Sequence, residues 1–267
     1  MKYNLISKVK KSLLSDEILK MIRHLISQHK NRNFIKNILL KKSNEEKFTF
    51  IFKSNYWGAD ESVSGPGSTI EYTENLRKEL PNLFKKFSIR KVFDAPCGDF
   101  NWASQLLPAL DIEWVGGDIV RSLIDSLNKK YKSEKVSFIH FDLIKEVPPD
   151  ADLMICRDFL FHLSFEDTKT TLKNFLKSNI PYLLTTTHKN NGKLFVNQDI
   201  ISGDFRLIDL FSNPYNFPEN PLATIQDWIP PFPERQMNLW SREQIFTALS
   251  SMTNEKNTPH TLHRRKI

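Results

Sequence analysis

The spacing of hydrophobic and polar positions changes character along the chain. Over residues 5–26 the apolar positions Ile6, Val9, Leu13, Ile18, Ile22, Leu25 and Ile26 recur mostly at three- and four-residue steps, one face of a helix. A second short helix is expected around Phe34–Leu40. Residues 54–73, rich in glycine and hydroxyl side chains, read as a loop. Helical spacing returns from about Thr73 to Phe87, with Leu76, Leu80, Leu83 and Phe84 on the apolar side. From Lys91 onward, short apolar runs alternate with helical periods. The expected strands are Lys91–Asp94, Glu113–Asp118, Val136–Phe141, Asp152–Cys156 and Tyr182–Thr187. The helices between them are Trp102–Leu110, Val120–Tyr131 and Phe165–Lys177. Such alternation specifies a parallel sheet with helices on both faces, whose ligands bind beyond the carboxyl ends of the strands.

The last third is less regular. Phe205–Leu210 and Gln236–Trp240 read as two further strands, giving an α/β fold with a mostly parallel seven-stranded sheet. A proline-rich loop from Asn213 to Glu234, with Tyr215, Phe217 and Trp228, is placed to close over a substrate. The expected organisation is a basic helical extension over 1–50, one Rossmann-like domain over 51–250, and a basic tail over 251–267. Within that domain, the core over 91–188 carries the motifs and the segment 189–240 forms a loop-rich cover.

Composition narrows the class. Forty per cent hydrophobic and 26 per cent charged residues fit a globular protein. The longest apolar stretches are strand-sized, far short of the ~20 residues that span a bilayer. The N-terminus lacks the apolar core and small-residue cleavage site of a signal peptide. Two cysteines, Cys97 and Cys156, make no disulfide framework, so a cytoplasmic location is expected. The net charge of +7 is concentrated at one end. Residues 1–50 hold 12 Lys/Arg against 4 Asp/Glu, while the other 217 residues hold 26 against 27. A neutral body disfavours a nucleic-acid partner. The basic first 50 residues are left to dock on the body, on a partner or on an anionic membrane surface.

Four strand tips carry chemistry. Val92-Phe93-Asp94-Ala95-Pro96-Cys97-Gly98-Asp99 is an apolar strand that ends in an acid and turns tightly into a helix. Gly98 allows close backbone approach and a positive φ there. Trp114-Val115-Gly116-Gly117-Asp118-Ile119 ends in a second acid, suited to both hydroxyls of an adenosine ribose. Phe138-Ile139-His140-Phe141-Asp142-Leu143 ends in a third, which can take an adenine amino proton while Leu143 and Ile119 sandwich the ring. The fourth is Asp152-Leu153-Met154-Ile155-Cys156-Arg157-Asp158-Phe159-Leu160-Phe161-His162. A single strand ending in Asp is common; four in order at this spacing are specific.

The set resembles motifs one to four of class I S-adenosylmethionine-dependent methyltransferases. It is most similar to a bacterial branch carrying Asp-x-Pro-Cys-Gly-Asp, Gly-Gly-Asp-Ile and Cys-Arg-Asp-x-x-x-His-Leu. The likeness extends upstream to Tyr56-Trp57-Gly58, Glu61-Ser62 and Ser64 to Ser68, and downstream to Thr185–His188, Asn197, Asp199 and Gly203. It implies S-adenosylmethionine as cofactor, held by Asp94, Ala95, Pro96, Cys97, Gly98, Trp102, Asp118, Ile119, Asp142 and Leu143. Arg157 or Arg77 would meet its carboxylate. Association of the branch with surface polysaccharides implies a saccharide or nucleotide-sugar hydroxyl as methyl acceptor, in capsule or surface-glycan assembly. Where the broad class has glycines, this chain has Pro96 and Phe100; Pro96 has no N–H to offer a ligand. Asp94 and Asp99 together disfavour a dinucleotide, because they would repel a pyrophosphate.

Methylating a hydroxyl requires alignment and removal of its proton. His162, with His188 at the end of the fifth strand, is the expected base, and Asp158 is placed to orient a histidine or bind the acceptor. The sequence indicates no metal set, although Asp158 and Asp199 are the carboxylates that would join one. Two other readings stay open: methylation of RNA or a protein amine, and a non-catalytic binding or scaffold subunit.

Overall fold

The computed structural model describes residues 40, 42–57, 59–192 and 194–254. The described residues from 42 onward form one compact unit. The helices expected over 5–26 and around Phe34–Leu40 lie outside the described residues, Leu40 apart, as does the tail from 255.

Helix α1 (Asn44–Lys53) starts at a capping box. Ser43 Oγ accepts from the Glu46 N–H at 3.3 Å, and the Glu46 carboxylate accepts from the Ser43 N–H at 2.8 Å. It buries Phe48 and Ile51. Helix α2 (Glu74–Lys86) buries Leu76, Leu80, Leu83 and Phe84, the stripe its spacing specifies. The alternating region follows as β1 (Lys91–Asp94), α3 (Asn101–Leu106), β2 (Glu113–Asp118), α4 (Arg121–Tyr131), β3 (Val136–His140), β4 (Leu153–Cys156), α5 (Phe165–Lys177) and β5 (Tyr182–His188). The chain closes with β6 (Ala223–Gln226), β7 (Arg235–Ser241) and α6 (Arg242–Asn254).

The seven strands lie in the order β3-β2-β1-β4-β5-β7-β6. The first five are parallel, and β7 runs antiparallel to both β5 and β6. Central strands are covered on both faces, which is why Val92, Phe93, Leu153, Met154 and Ile155 are fully buried. The order reverses at β1 and β4, so the crevice of the sheet opens beyond their carboxyl ends. Register then staggers the strand tips. Asp94 lies level with Gly116, two residues short of Asp118, and Asp118 lies level with His140, two residues short of Asp142. With ~3.3 Å per residue and ~4.8 Å between strands, each acid is displaced by about 8 Å from the last at backbone level.

The seventh strand is not the one the sequence pattern suggested. Phe205–Leu210 is buried at Ile208 and Leu210 but forms no strand. It bonds to the end of β5 through one backbone bond, from the His188 N–H to the Ile208 carbonyl at 2.7 Å, and otherwise through side chains: the Ile208 N–H donates to His188 Nδ1, and the Leu210 N–H to Thr187 Oγ1. The seventh strand is β6, inside the proline-rich segment. Among the described residues no helix is long and apolar enough to cross a membrane.

Arg242, at the start of α6, closes the far end of α5. Its guanidinium donates to the Ser178 carbonyl at 2.6 Å, and to the carbonyls of Phe175 and Leu176. Removing it leaves helix-terminal carbonyls without their charged donor. Arg242→Ala is expected to cost about 2 kcal/mol, read as a lower urea midpoint at unchanged slope.

Candidate active site

The turn after β1 keeps its amides to itself. The Ala95 N–H donates to the Ile155 carbonyl at 2.9 Å and the Cys97 N–H to the Gly117 carbonyl at 2.9 Å. The Gly98 N–H donates to Asp118 Oδ2 at 3.2 Å, and the Asp99 N–H to Ser64 Oγ at 2.9 Å. Pro96 has none. A ligand here therefore meets side chains and carbonyls. Gly98 has φ of 54°, and a Cβ on it would lie 2.3 Å from Ser64 Oγ, so both backbone and space require glycine.

Asp99 binds the upstream loop onto this turn. Its carboxylate accepts from Ser62 Oγ at 2.8 Å, the Val63 N–H at 3.0 Å, Ser64 Oγ at 3.2 Å and the Asn101 N–H at 3.3 Å. Glu61 adds a clasp, accepting from the Ile70 N–H at 2.8 Å and Asn101 Nδ2 at 2.6 Å. The hydroxyl-rich run Ser62 to Ser68 is thus part of the site wall. Its composition signalled a loop without showing which acid would gather it.

Two adjoining cavities open at the carboxyl edge. The larger, about 810 Å³, is walled by Phe48, Phe52 and Trp57 on one side and by the tips of β1, β2 and β4 on the other. The smaller, about 280 Å³, is lined by Ile119, Asp142 and Leu143, with Phe48 and Phe159 shared with its neighbour. Pro96, Cys97, Gly98 and Trp102 line the larger cavity, and Ala95 the smaller. The sequence pattern did not single out Phe48, Phe52 or Phe159 as site residues. Phe48, Ile51 and Phe52 at helical spacing were the available signal, lying in a segment whose charge drew attention to solvent instead.

The three acids differ in electrostatic state. Asp94 is buried with Oδ2 unpartnered, and burial pushes its carboxyl up to about 8. Burial also raises Asp118, to about 6; its Oδ1 accepts from the Val120 N–H at 2.9 Å and its Oδ2 from Gly98. Each of those oxygens keeps a second lone pair. Asp142 Oδ1 accepts from the Ile144 N–H at 3.0 Å, and Lys145 Nζ lies 3.0 Å from Oδ2.

Beyond β4 the chain supplies a second set. His162 lines the larger cavity, stacked on Trp57 with ring centroids 4.8 Å apart and 27° between planes. Its Nδ1 lies 2.8 Å from the Asp204 carbonyl. A carbonyl can only accept, so in the neutral ring Nδ1 carries the hydrogen and Nε2 carries the lone pair. Burial pushes this imidazole down to about 4, so it is neutral at pH 7. Asp158 also lines the larger cavity, in the left-handed region with φ of 54°. Burial opposes its charge, but Arg157 and Arg235 outweigh that and hold the carboxyl below its ordinary range.

Four expected residues have other positions or duties. Arg157 reaches the cavity but is already engaged, with Nε and Nη2 each 3.0 Å from the Asp227 carboxylate and Nη2 donating to the Gly67 carbonyl at 2.6 Å. Arg77 lines neither cavity; its Nη2 donates to the Ile70 carbonyl at 2.8 Å. His188 lines neither cavity, because the segment through Ile208 covers the end of β5. Its Nδ1 accepts from the Ile208 N–H at 3.2 Å, and burial pushes it down to about 4. Asp199 Oδ1 accepts from the Phe165 N–H at 2.7 Å and the Ile200 N–H at 2.9 Å. Among the described residues no group of three or more His, Cys, Asp or Glu side chains is placed to hold a metal ion.

No protein-family model and no curated protein matches the chain. Among solved structures, human N-acetylserotonin methyltransferase in complex with SAM aligns with a TM-score of 0.52 at 12% identity, over 75% of this chain and 61% of that one. Magnesium protoporphyrin IX methyltransferase from Synechocystis PCC 6803, with bound SAH, aligns with a TM-score of 0.48 at 13% identity, over 64% and 84%. The N-methyltransferase NodS from Bradyrhizobium japonicum WM9 gives 0.46 at 11% identity, over 64% and 96%. The sheet order, its one reversed strand and the first of these alignments identify the Rossmann-like class I methyltransferase fold.

Gly98→Ala tests how the turn is built. A Cβ at positive φ against Ser64 is expected to cost about 2 kcal/mol. Hydrogen exchange should accelerate at Val63, Asp99 and Asn101, whose amides bond to the Asp99 side chain or to Ser64.

Proposed function

We propose that this chain is an S-adenosylmethionine-dependent methyltransferase that transfers a methyl group to a hydroxyl of a saccharide, in free, nucleotide-linked or polymeric form. The observation that carries the reading is the staircase of three acids along one continuous pair of cavities. The largely apolar chamber beside Asp142 is where the adenine is assigned, between Ile119 and Leu143, with Phe48 and Phe159 as further walls. Asp118 has spare lone pairs for two ribose hydroxyls. Asp94 presents an unpartnered buried oxygen, the feature that a cationic ammonium satisfies. Bound there, S-adenosylmethionine supplies an electrophilic methyl carbon on a sulfonium.

The protein's own part is orientation and proton removal. Trp57, stacked on His162, and Phe52 give the acceptor side of the cleft an aromatic wall, a surface suited to the C–H face of a sugar. His162 Nε2 takes the proton of the acceptor hydroxyl; the cofactor, when bound, would give up its methyl group with cleavage of the C–S bond and leave as the neutral thioether. His188, with its lone pair committed to Ile208, is assigned to packing. The saccharide acceptor is supported by this aromatic wall and by the motif resemblance, and a role in surface-glycan assembly by the resemblance. Neutral charge over residues 51–267 weighs against RNA.

Two measurements test this. With labelled cofactor and a panel of glycan and nucleotide-sugar acceptors, His162→Gln should lower turnover by about 100-fold. Transfer to RNA alone would overturn the acceptor assignment. Binding should also depend on pH through Asp94. Its carboxyl must lose a proton to face a cation, so S-adenosylmethionine should bind more tightly as pH rises towards about 8 and level off above it. Calorimetry at pH 7 in buffers of different ionisation enthalpy should read close to one proton released per molecule bound. Asp94→Asn should abolish the release; no release from the native protein would sink the Asp94 contact.

A further inference from the structure

The cofactor motifs leave a buried ion cluster unexplained. Asp227, just past β6, and Arg235, at the start of β7, join Arg157 and Asp158 from the tip of β4. The side chains of Asp227, Arg157 and Arg235 are almost fully enclosed, whereas that of Asp158 is 20% exposed and lines the larger cavity. Arg235 Nη2 lies 2.8 Å from Asp158 Oδ2, and Arg157 Nη1 lies 3.4 Å from the same oxygen. On the other side, the Thr186 hydroxyl accepts from the Asp158 N–H at 2.9 Å and donates to Oδ1 at 3.1 Å. Arg235 is itself aimed. Its Nε donates to the Asp227 carbonyl at 2.9 Å, and its guanidinium lies 4.6 Å from the Tyr72 ring centroid.

Two details show that the aim is constrained. Asp158 holds a left-handed backbone conformation, φ of 54°, that is unfavourable for a non-glycine residue and persists where its surroundings fix it. Gly67 packs against the clamp: a Cβ there would lie 2.8 Å from Arg235 Nη2 and 2.9 Å from Asp158 Oδ2. Two arginines and two aspartates leave the cluster with no net charge, so its bulk does not bias the cleft. What reaches the cleft is the already engaged Arg157 and, beside it, the Asp158 carboxylate held between two guanidiniums and the Thr186 hydroxyl.

We propose that Arg235 is a positioning residue: carried in on the antiparallel C-terminal strand, it clamps the Asp158 carboxylate, and that carboxylate stabilises the imidazolium formed when His162 takes the acceptor proton. The inference rests on the reading of His162 as the base. The charged and titratable groups acting on the His162 ring are Asp158 at the tip of β4, and Asp204 and Arg206 in the segment after β5. His188 at the end of β5 also interacts with it. Of the groups that favour its protonation, Asp158 is the one that shares the cavity with it.

The test is ring-nitrogen NMR on the full chain labelled at histidine, with His162 assigned from the His162→Gln spectrum. The readout is taken at the pH where a quarter of native His162 is in the imidazolium form, about half a unit above its midpoint of about 4. Asp158→Asn should bring that fraction below about a tenth. Arg235→Gln should do the same, because a carboxyl left buried with one cation fewer takes up its proton and no longer supports the ring. Arg235→Lys should restore the fraction. A fraction that holds or rises in Arg235→Gln would overturn the proposal, showing Arg235 to be a nearby positive charge and no clamp. Thr186→Val loosens the carboxylate without changing any charge and should lower the fraction too, which covers the case in which the arginine variants do not fold. Calorimetry with S-adenosylmethionine on the native protein separates the two readings: absent binding there removes the cofactor assignment, while the ring titration still decides the clamp.

Discussion

Parallel strand register is the constraint from which the site follows. Neighbouring strands must align their backbone bonds, and here the alignment sets each acidic tip two residues beyond its neighbour. Three carboxylates therefore climb across the sheet instead of converging on one point. Convergence would have made a cation site, with mutual repulsion relieved by a metal. A climb suits one long ligand that carries a different group at each step. Two glycines at the end of β2, Gly116 and Gly117, keep that strand thin where Phe138, Phe93 and Phe141 pack against it. The staircase is thus held by apolar contacts, and the acids remain free for polar work.

The cleft draws on both ends of the domain. The upstream loop is pinned by Asp99 and reaches the clamp through Gly67, whose carbonyl accepts from Arg157. The downstream hairpin enters from the far side of the sheet, where β7 runs against β5 and brings Arg235 level with His188. Segments about 170 residues apart in sequence, Gly67 and Arg235, thereby meet within van der Waals distance of Asp158. A parallel sheet alone could not deliver this, because all of its own connections return to the amino edge. The reversed strand starts at the carboxyl edge, so its first residue, Arg235, lies against Asp158.

What the sequence made legible was whatever depends on local periodicity. Strand tips at Asp94, Asp118 and Asp142, and the apolar face of α2, follow from period and from the residue that ends each run. The seventh strand did not follow. Phe205–Leu210 has a strand's composition, yet its amides are taken by the His188 and Thr187 side chains, which no local pattern records. Ala223–Gln226 is short, lies at the edge and sits among prolines, and it pairs on one side only, so little hydrophobic signal is required of it. Arg77 and His188 lie outside both cavities for a similar reason. Each has suitable chemistry and position in the sequence, but a carbonyl at Ile70 and an amide at Ile208 claimed them first. Arg235 and Asp227 gave no local signal, because it is the antiparallel hairpin that carries them to the tip of β4.

The closed hydrogen-bond account of the first turn bears directly on the kind of ligand the edge can take. In dinucleotide-binding folds, free amides at the start of a helix grip a pyrophosphate. Here the amides of Ala95, Cys97, Gly98 and Asp99 are all spent within the protein. The groups left facing outward are acidic: Asp94 with an unshared oxygen, and Asp118 with spare lone pairs. An anion placed there would meet carboxylates and none of the turn's amides, whereas a ligand with an ammonium and two hydroxyls would supply what those oxygens lack. Raised basicity at Asp94 is the electrostatic face of the same arrangement. A proton occupies the position that a bound cation would otherwise fill, and the fold stays stable in its absence at the expense of a carboxyl held neutral near pH 7.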